Sequence, residues 1–281
     1  MIIWIASYPK SGNTWVRSFL TTLLYSEFGE NNFSHLNKIQ QFPTRSQFKD
    51  LVDNYQDIKQ ISENWISSQQ RINLDEKIKF FKTHHVNCKI GNNPFTNNNN
   101  TLGVIHVVRD PRNIITSLKN HYSIPTYNLA KEFLFDEKRW IGFVNNKQVI
   151  IENKILTLIS SWKTHYLSWK NNSKNYLLVK YEDLINSPYQ SFNVISEYVS
   201  KLTSVILEKN KIEKAINSNS FESLKNLEEG GYFKEYIHRK SNMPKFFNLG
   251  PKNDWKHLLD KEIVDEIEEK FFEEMKELKY L

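Results

Sequence analysis

Ser7-Tyr8-Pro9-Lys10-Ser11-Gly12-Asn13-Thr14-Trp15 joins a short apolar run, Met1–Ala6, to a stretch with helical spacing, Val16–Tyr25. This order predicts a β-strand, a tight loop and an α-helix. Such a loop points backbone N–H groups and the positive end of the helix dipole at one place, which makes an anion site. Within it, Gly12 allows close backbone approach, Lys10 adds positive charge, and Ser11 and Thr14 add hydroxyl donors. We therefore predict that the stretch cradles a phosphate.

The loop departs from the Walker A pattern, G-x-x-x-x-G-K-[ST]. When Gly12 is taken as the second glycine, Ser7 replaces the first and Asn13 stands at the lysine position, while the lysine is at Lys10. An ordinary ATPase or GTPase is therefore disfavoured. The alternative to a phosphate cradle is a plain strand-to-helix turn with a lysine in solvent.

The composition indicates one large α/β domain, or at most two small ones, because 39% of the 281 residues are hydrophobic. A net charge of +6 suits an anionic partner, either a polyanionic small molecule or nucleic acid. The basic residues follow no nucleic-acid motif, so we expect no nucleic-acid partner. The single cysteine, Cys88, excludes an intramolecular disulfide, and the N-terminal apolar run is too short for a signal peptide or a membrane span. Both observations favour a cytoplasmic protein.

Polar residues stand at the ends of four predicted strands. Lys10 follows the first strand, Lys82-Thr83-His84 ends the strand that begins at Ile78, Arg109 follows Thr101–Val108, and Tyr181 ends Asn175–Tyr181. Strands that alternate with helices indicate a mostly parallel sheet, in which the carboxyl ends share one edge and form the ligand site. We expect these four groups at one site. The chain shows no His/Cys/Asp cluster with metal-ligand spacing, so no metal is expected.

Other segments are assigned by periodicity. Helical spacing predicts helices in Asp57–Arg71, Leu156–Trp169, Ile206–Ser218 and, with an acidic outer face, 260–281. Residues 120–150 are aromatic and irregular, and residues 229–254 are rich in glycine, proline and basic residues. We interpret these two segments as pocket or lid loops within one domain, 1–281. Asp110 followed by Pro111 predicts the start of another helix.

Tyr8-Pro9-Lys10-Ser11-Gly12-Asn13-Thr14-Trp15 resembles the 5′-phosphosulfate loop, Y-P-K-S-G-T-T-W, of the sulfotransferases that use 3′-phosphoadenosine 5′-phosphosulfate (PAPS). Asn13 is the one departure. Arg109, followed eight residues later by Ser117, is similar to the 3′-phosphate segment of that family. Further segments resemble the family in the same order along the chain: Lys82-Thr83-His84, Tyr181-Glu182-Asp183-Leu184, Ser220-Phe221 with Lys225, and Gly250–Lys256.

The resemblance implies a fold, a cofactor and roles for residues. The fold would be a single P-loop-type, three-layer α/β domain with a mostly parallel central sheet flanked by helices. PAPS would donate a sulfuryl group to a hydroxyl or amine of a small-molecule acceptor, leaving adenosine 3′,5′-bisphosphate. The implied catalytic residues are Lys10, Lys82, His84 as general base, and Ser117. The implied cofactor-binding residues are Lys10, Ser11, Gly12, Asn13, Thr14, Trp15, Arg109, Ser117, Tyr181, Phe221 and Gly250.

Two departures affect the late segment. Asn248 replaces an arginine that binds the 3′-phosphate in relatives, and Asn253 replaces a glycine. Candidate substitutes for the arginine are Arg239, Lys240, Lys245 and Lys252. The alternatives to a sulfotransferase are a P-loop-type kinase with a displaced lysine, and a non-catalytic module that binds nucleotides or nucleic acid. The sequence indicates neither the acceptor nor the oligomeric state.

Overall fold

The computed structural model describes residues 1–142, 155–233 and 245–281. The strands are β1 (Ile2–Ser7), β2 (Gln40–Gln41), β3 (Lys79–Thr83), β4 (Lys89–Ile90), β5 (Asn93–Pro94), β6 (Thr101–Val108), β7 (Trp140–Ile141), β8 (Thr157–Leu158) and β9 (Tyr176–Lys180). The α-helices are α1 (Asn13–Tyr25), α2 (Ile58–Glu63), α3 (Trp65–Asn73), α4 (Pro111–Tyr122), α5 (Tyr127–Phe135), α6 (Trp162–Asn171), α7 (Tyr181–Asn186), α8 (Pro188–Thr203), α9 (Lys209–Ser218), α10 (Phe221–Glu229), α11 (Lys261–Lys270) and α12 (Phe272–Glu277).

A five-stranded sheet has the order β2-β3-β1-β6-β9. Strands β1 and β3 are parallel, with Ile3 opposite Phe80 and Ala6 opposite Thr83, and β2 is parallel to β3. All six residues of β1 are buried, as expected for a strand covered on both faces of a parallel sheet. The predicted α/β class with a mostly parallel central sheet is therefore confirmed.

The chain forms two compact units. Unit 1 contains residues 1–8, 40–106 and 135–178, and unit 2 contains residues 9–39, 107–134 and 179–281. The assignment of 1–281 to one domain stays a prediction.

Aromatic packing around Trp4 forms the core of unit 1. The Trp4 ring lies 5.4 Å from that of Phe42, 5.7 Å from Phe95 and 6.3 Å from Trp169, measured between centroids. Trp4 is fully buried, and its indole N–H donates to Thr101 Oγ1 at 2.9 Å. Burying each such ring contributes roughly 1.5–3 kcal/mol, and the hydrogen bond avoids a desolvation cost at the indole nitrogen.

Helix α1 is buried along most of its length in unit 2. Phe19 and Phe192 of α8 lie 4.4 Å apart between ring centroids, and Trp15 lies 5.9 Å from Phe192. The helix therefore anchors its own N-terminal loop to a packed core.

Several predicted boundaries are wrong for local reasons. The single helix predicted over Asp57–Arg71 is broken at Asn64, which ends α2 and begins α3. The helix predicted from Leu156 begins at Trp162, because the Ser161 hydroxyl caps it by accepting from the N–H of Thr164 at 3.1 Å.

Three other segments differ from the prediction, either in how regular they are or in where they begin. Residues 120–142 are partly helical rather than irregular throughout, because α4 continues to Tyr122 and α5 spans Tyr127–Phe135. Residues 143–150 lie outside the described part. The predicted helix over 260–281 is two helices that meet at Phe271. The helix predicted from Ile206 begins at Lys209.

Candidate functional site

The loop after β1 bends sharply at two residues of unit 2. Lys10 has φ 69° and Gly12 has φ 101°, both in the left-handed region that glycine tolerates best. Gly12 precedes α1, and no side chain of the described residues caps that helix. Ser11 Oγ is buried and has no hydrogen-bond partner among the described residues. Because buried hydroxyls are normally paired, this uncapped turn fits an anionic ligand.

Arg109 links the loop to α4 in unit 2. Its Nη1 donates to the carbonyl oxygen of Lys10 at 3.0 Å and to Ser117 Oγ at 3.2 Å. Its guanidinium carbon lies 4.1 Å from the centroid of the Tyr181 ring. Arg109 is 5% exposed, and its Nε lacks a partner in the described structure. The structure thus joins Arg109, Ser117 and the loop, and leaves a buried cationic donor for a second anionic group.

Aromatic residues pack beside the loop in unit 2. A Cβ on Gly12 would lie 2.6 Å from Cδ2 of Tyr181, so the Tyr181 ring rests directly on the glycine. Between ring centroids, Trp15 lies 5.9 Å from Tyr181 and 6.5 Å from Phe221. Its indole N–H donates to the carbonyl oxygen of Asn219 at 2.6 Å. Phe221 covers Gly250, so that a Cβ added to this glycine would collide with the ring. These rings form one continuous group suited to a flat base.

Phe246 contacts the Lys10 side chain. The Lys10 ammonium lies 4.1 Å from the centroid of the Phe246 ring. The Glu228 carboxylate holds the Phe246 segment by accepting from the N–H groups of Phe246 and Phe247, at 2.6 and 2.8 Å. The cation therefore lies against an aromatic face.

His84 follows β3 in unit 1, where it contacts the end of β1. Its Nδ1 lies 2.7 Å from the carbonyl oxygen of Ser7 and 3.3 Å from Ser7 Oγ. Because a carbonyl oxygen only accepts, Nδ1 carries the proton. In the neutral ring Nε2 is then the basic nitrogen. This is the tautomer that a general base requires if Nε2 faces the acceptor.

The neighbours of His84 divide between backbone pairing and the core. Lys82 lies within β3, and its carbonyl oxygen accepts from the N–H of Phe42 at 2.9 Å. His85 is fully buried, stacks on Phe95 with a centroid distance of 4.4 Å, and has a pKa lowered by burial to about 4. His106 is a buried core histidine, and its Nδ1 pairs with the Tyr176 hydroxyl at 2.8 Å.

Sequence reasoning missed residues that support the site in each unit. In unit 1, the ring of His165 hydrogen-bonds to the backbone of His84 and packs on Tyr8, with centroids 5.7 Å apart. In unit 2, Phe246 and Tyr280 were missed. No periodicity or motif marks Phe246 or Tyr280. By contrast, the position of Ser7 immediately before the loop could have indicated its contact with His84 at the strand ends.

The late segment is described from Lys245 onward, and Arg239 and Lys240 lie outside the described residues. Asn248 is exposed. Asn253 is buried; its amide donates to the carbonyl oxygen of Asn113 at 2.9 Å and accepts from Thr116 Oγ1 at 2.5 Å. The residue that replaces the pattern glycine therefore attaches this segment to α4.

The described parts of the chain contain neither a metal-binding cluster nor a membrane-spanning helix. No group of three or more His, Cys, Asp or Glu side chains there is arranged to hold a metal ion. In the same ranges, no helix combines the length and the apolar character needed to cross a bilayer.

A parallel α/β sheet followed by an uncapped, glycine-containing turn with lysine and arginine beside it defines a P-loop-type anion-binding protein. Comparison with known proteins then gives the family. Residues 2–279 match the model of the sulfotransferase domain, so the chain belongs to the sulfotransferase family.

Individual relatives are distant. Luciferin sulfotransferase of Photinus pyralis is 26% identical over 229 residues, which cover 79% of this chain and 56% of that protein, just over half of its length. Among solved structures, mouse sulfotransferase SULT7A1 complexed with PAP has a TM-score of 0.61 at 20% identity, covering 98% of this chain and 84% of that one. Retinol dehydratase in complex with androsterone and inactive cofactor PAP has a TM-score of 0.64 at 15% identity, covering 98% and 80%. These similarities confirm the predicted family, fold and sulfotransferase class, and do not favour the kinase alternative.

Proposed function

We propose that this chain transfers the sulfuryl group of PAPS to a hydroxyl or amine of a small-molecule acceptor. The observation that carries the proposal is Arg109, which contacts the loop and Ser117 while its buried Nε has no partner in the described structure. A second anion site beside the loop suits a nucleotide with a 3′-phosphate as well as a 5′-phosphosulfate. The PAP named for two structural neighbours supports the same donor.

In this proposal, different residues bind different parts of PAPS. Ser11, Gly12, Asn13 and Thr14 bind the 5′ end through loop amides and hydroxyls. Arg109 and Ser117 bind the 3′-phosphate, which selects PAPS over ATP. Trp15, Tyr181, Phe221 and Gly250 hold the adenine. Because Trp15 is 6% exposed, we assign it an edge contact with the base.

His84 removes the acceptor proton in this proposal. With Nδ1–H bound to the Ser7 carbonyl, Nε2 accepts the proton, and the Ser7 carbonyl then stabilises the imidazolium. Bound PAPS supplies an electrophilic sulfuryl group and an adenosine bisphosphate leaving group. Lys10 and Lys82 neutralise negative charge that spreads over sulfate and bridging oxygens.

The change in melting temperature on addition of a ligand tests which nucleotide the protein binds. We expect adenosine 3′,5′-bisphosphate to raise the melting temperature, since a ligand at 100 times its Kd adds about 2.7 kcal/mol of stability. AMP should give a smaller shift, because it lacks the group that Arg109 binds. A shift produced by ATP with Mg²⁺ and not by the bisphosphate would reject the proposal and favour a kinase.

Replacement of His84 tests whether this residue is the general base. His84→Ala should lower kcat by roughly 10²–10⁴-fold, while the bisphosphate Kd stays unchanged because the donor residues are intact. His257→Ala is the matched control, since that side chain is 84% exposed. Activity of His84→Ala within a few-fold of the wild type would remove His84 from this role.

We also propose that the acceptor is a small molecule and that the protein is cytoplasmic. The androsterone found in complex with retinol dehydratase supports a small-molecule acceptor. Part of each segment expected to shape the acceptor pocket, 143–150 and 234–244, lies outside the described residues. A cytoplasmic location is supported by the single cysteine, Cys88, which excludes an intramolecular disulfide.

A further inference from the structure

Glu182 forms a bridge between two turns of unit 2 that carry proposed nucleotide residues. Its Oε1 accepts from the backbone N–H of Asp110 at 3.0 Å, and its Oε2 accepts from the Tyr280 hydroxyl at 2.9 Å. Asp110 directly follows Arg109, and Glu182 directly follows Tyr181. The Glu182 carboxylate therefore links the two chain segments that carry Arg109 and Tyr181, whose guanidinium and ring stack on each other.

Tyr280 is held by its backbone as well as by its hydroxyl. Arg112 Nη2 donates to the carbonyl oxygen of Tyr280 at 2.7 Å and to Asp110 Oδ2 at 2.7 Å. Lys180 Nζ donates to the carbonyl oxygen of Leu278 at 2.7 Å and lies 4.6 Å from the centroid of the Tyr280 ring. The Tyr280 hydroxyl is thus presented to Glu182 from a fixed position.

The charge of Glu182 makes this hydrogen bond relevant to Arg109. Burial raises the pKa of Glu182 above its ordinary value, and the hydrogen bond from the Asp110 N–H and the nearby charge of Arg109 act in the opposite direction. The tyrosine remains a donor, because burial and the nearby Glu182 raise its pKa well above the ordinary value. Because the Glu182 carboxylate already accepts hydrogen bonds from Tyr280 and Asp110, it attracts the Arg109 guanidinium less strongly. Arg109 then keeps its contacts to Lys10 and Ser117 and its free Nε.

We propose that Tyr280 is a positioning residue for the 3′-phosphate: through Glu182 it holds Asp110 and Arg109 in the arrangement that binds this group. The proposal rests on the function proposed above, because it assumes that Arg109 binds a 3′-phosphate. It predicts an effect confined to ligands that carry this phosphate, which a merely structural role would not produce.

The test is calorimetric binding of adenosine 3′,5′-bisphosphate and of AMP to Tyr280→Phe. Loss of a hydrogen bond to a charged group should weaken bisphosphate binding about tenfold and leave AMP binding within about twofold. Tyr189→Phe is the matched control: it removes a tyrosine hydrogen bond of the same unit, to Asn217, on an exposed side chain. Equal losses for both ligands, or no loss for either, would overturn the proposal.

Two further variants separate the possible failures. Arg109→Gln should itself abolish the preference for the bisphosphate over AMP; if it does not, the proposed function fails before Tyr280 is judged. Glu182→Gln removes the charge with little change of shape. Tyr280→Phe placed on it should add much less than tenfold, since the two residues act through one hydrogen bond. Additive losses would contradict the coupling even if Tyr280→Phe folds poorly by itself.

Discussion

At the scale of single residues, Gly12 shows how one missing side chain shapes the site. The residue combines φ 101° with a Tyr181 carbon 2.6 Å from where a Cβ would lie. The first condition costs a substituted residue roughly 1–2 kcal/mol, and the second displaces the ring that stacks on Arg109. Sequence reasoning identified Gly12 from the loop pattern. The ring against it comes from a residue far along the chain, so no local pattern could place it there.

Gly12→Ala should therefore be more harmful than the same change at a glycine with only the backbone constraint. Gly91 has φ 59° and nothing within 4 Å of a built Cβ. We expect Gly12→Ala to lower the melting temperature further than Gly91→Ala and, unlike it, to weaken binding of adenosine 3′,5′-bisphosphate. Differential scanning fluorimetry with and without the ligand measures both effects. Equal behaviour of the two variants would mean that the contact with Tyr181 is unimportant.

At the scale of elements, starts of helices were easier to predict where the cap is a residue of known preference. Asp110 and Pro111 begin α4 as expected, with the Asp110 carboxylate accepting from the N–H of Arg112 at 2.9 Å. The break at Asn64 was missed because the apolar spacing continues across it. Periodicity reports which face is buried, and a helix pair can keep that face while interrupting its backbone hydrogen bonds.

The attachment of the late segment to α4 gives a prediction at this scale. Asn253→Ala removes its hydrogen bonds with the Thr116 hydroxyl and the Asn113 carbonyl, which keep only the hydrogen bond between themselves, so the free energy of unfolding should fall by about 1–3 kcal/mol. Asn248→Ala, at an exposed position of the same segment, should change it by less than about 0.5 kcal/mol. Urea unfolding measures both. Similar values for the two variants would show that Asn253 does not anchor the segment.

At the scale of the whole molecule, buried histidines set a dependence of stability on pH. Burial lowers the pKa of His85 to about 4 and that of His106 to about 3, against about 6.5 in an unfolded chain. Between pH 6.5 and 4 the unfolded state therefore binds more protons than the folded state. Stability is highest above pH 6.5 and falls as the pH decreases, by up to about 1.4 kcal/mol per pH unit for each histidine.

Urea unfolding measured from pH 7.5 to 4.5 should show this fall, and His106→Gln should reduce its slope by up to one proton. A glutamine keeps a polar partner for the Tyr176 hydroxyl, which limits other damage. His257→Gln, at a largely exposed position, should leave the slope unchanged. An unaltered slope in His106→Gln would show that this histidine already titrates normally in the folded protein.

Resemblance to the sulfotransferase family, and not local chemistry, linked Arg109 with Ser117. Local chemistry was enough to predict the strand, loop and helix around Tyr8–Trp15 and the strands that precede the site. Each depends on residues adjacent in sequence or one helix face apart, and backbone geometry converts such spacing directly into position. The packing of Phe246 on Lys10, of Tyr181 on Gly12 and of Tyr280 on Glu182 depends instead on residues separated by about 100 positions or more. Those contacts form only when distant elements fold together, so they and the buried state of His85 follow from the tertiary structure.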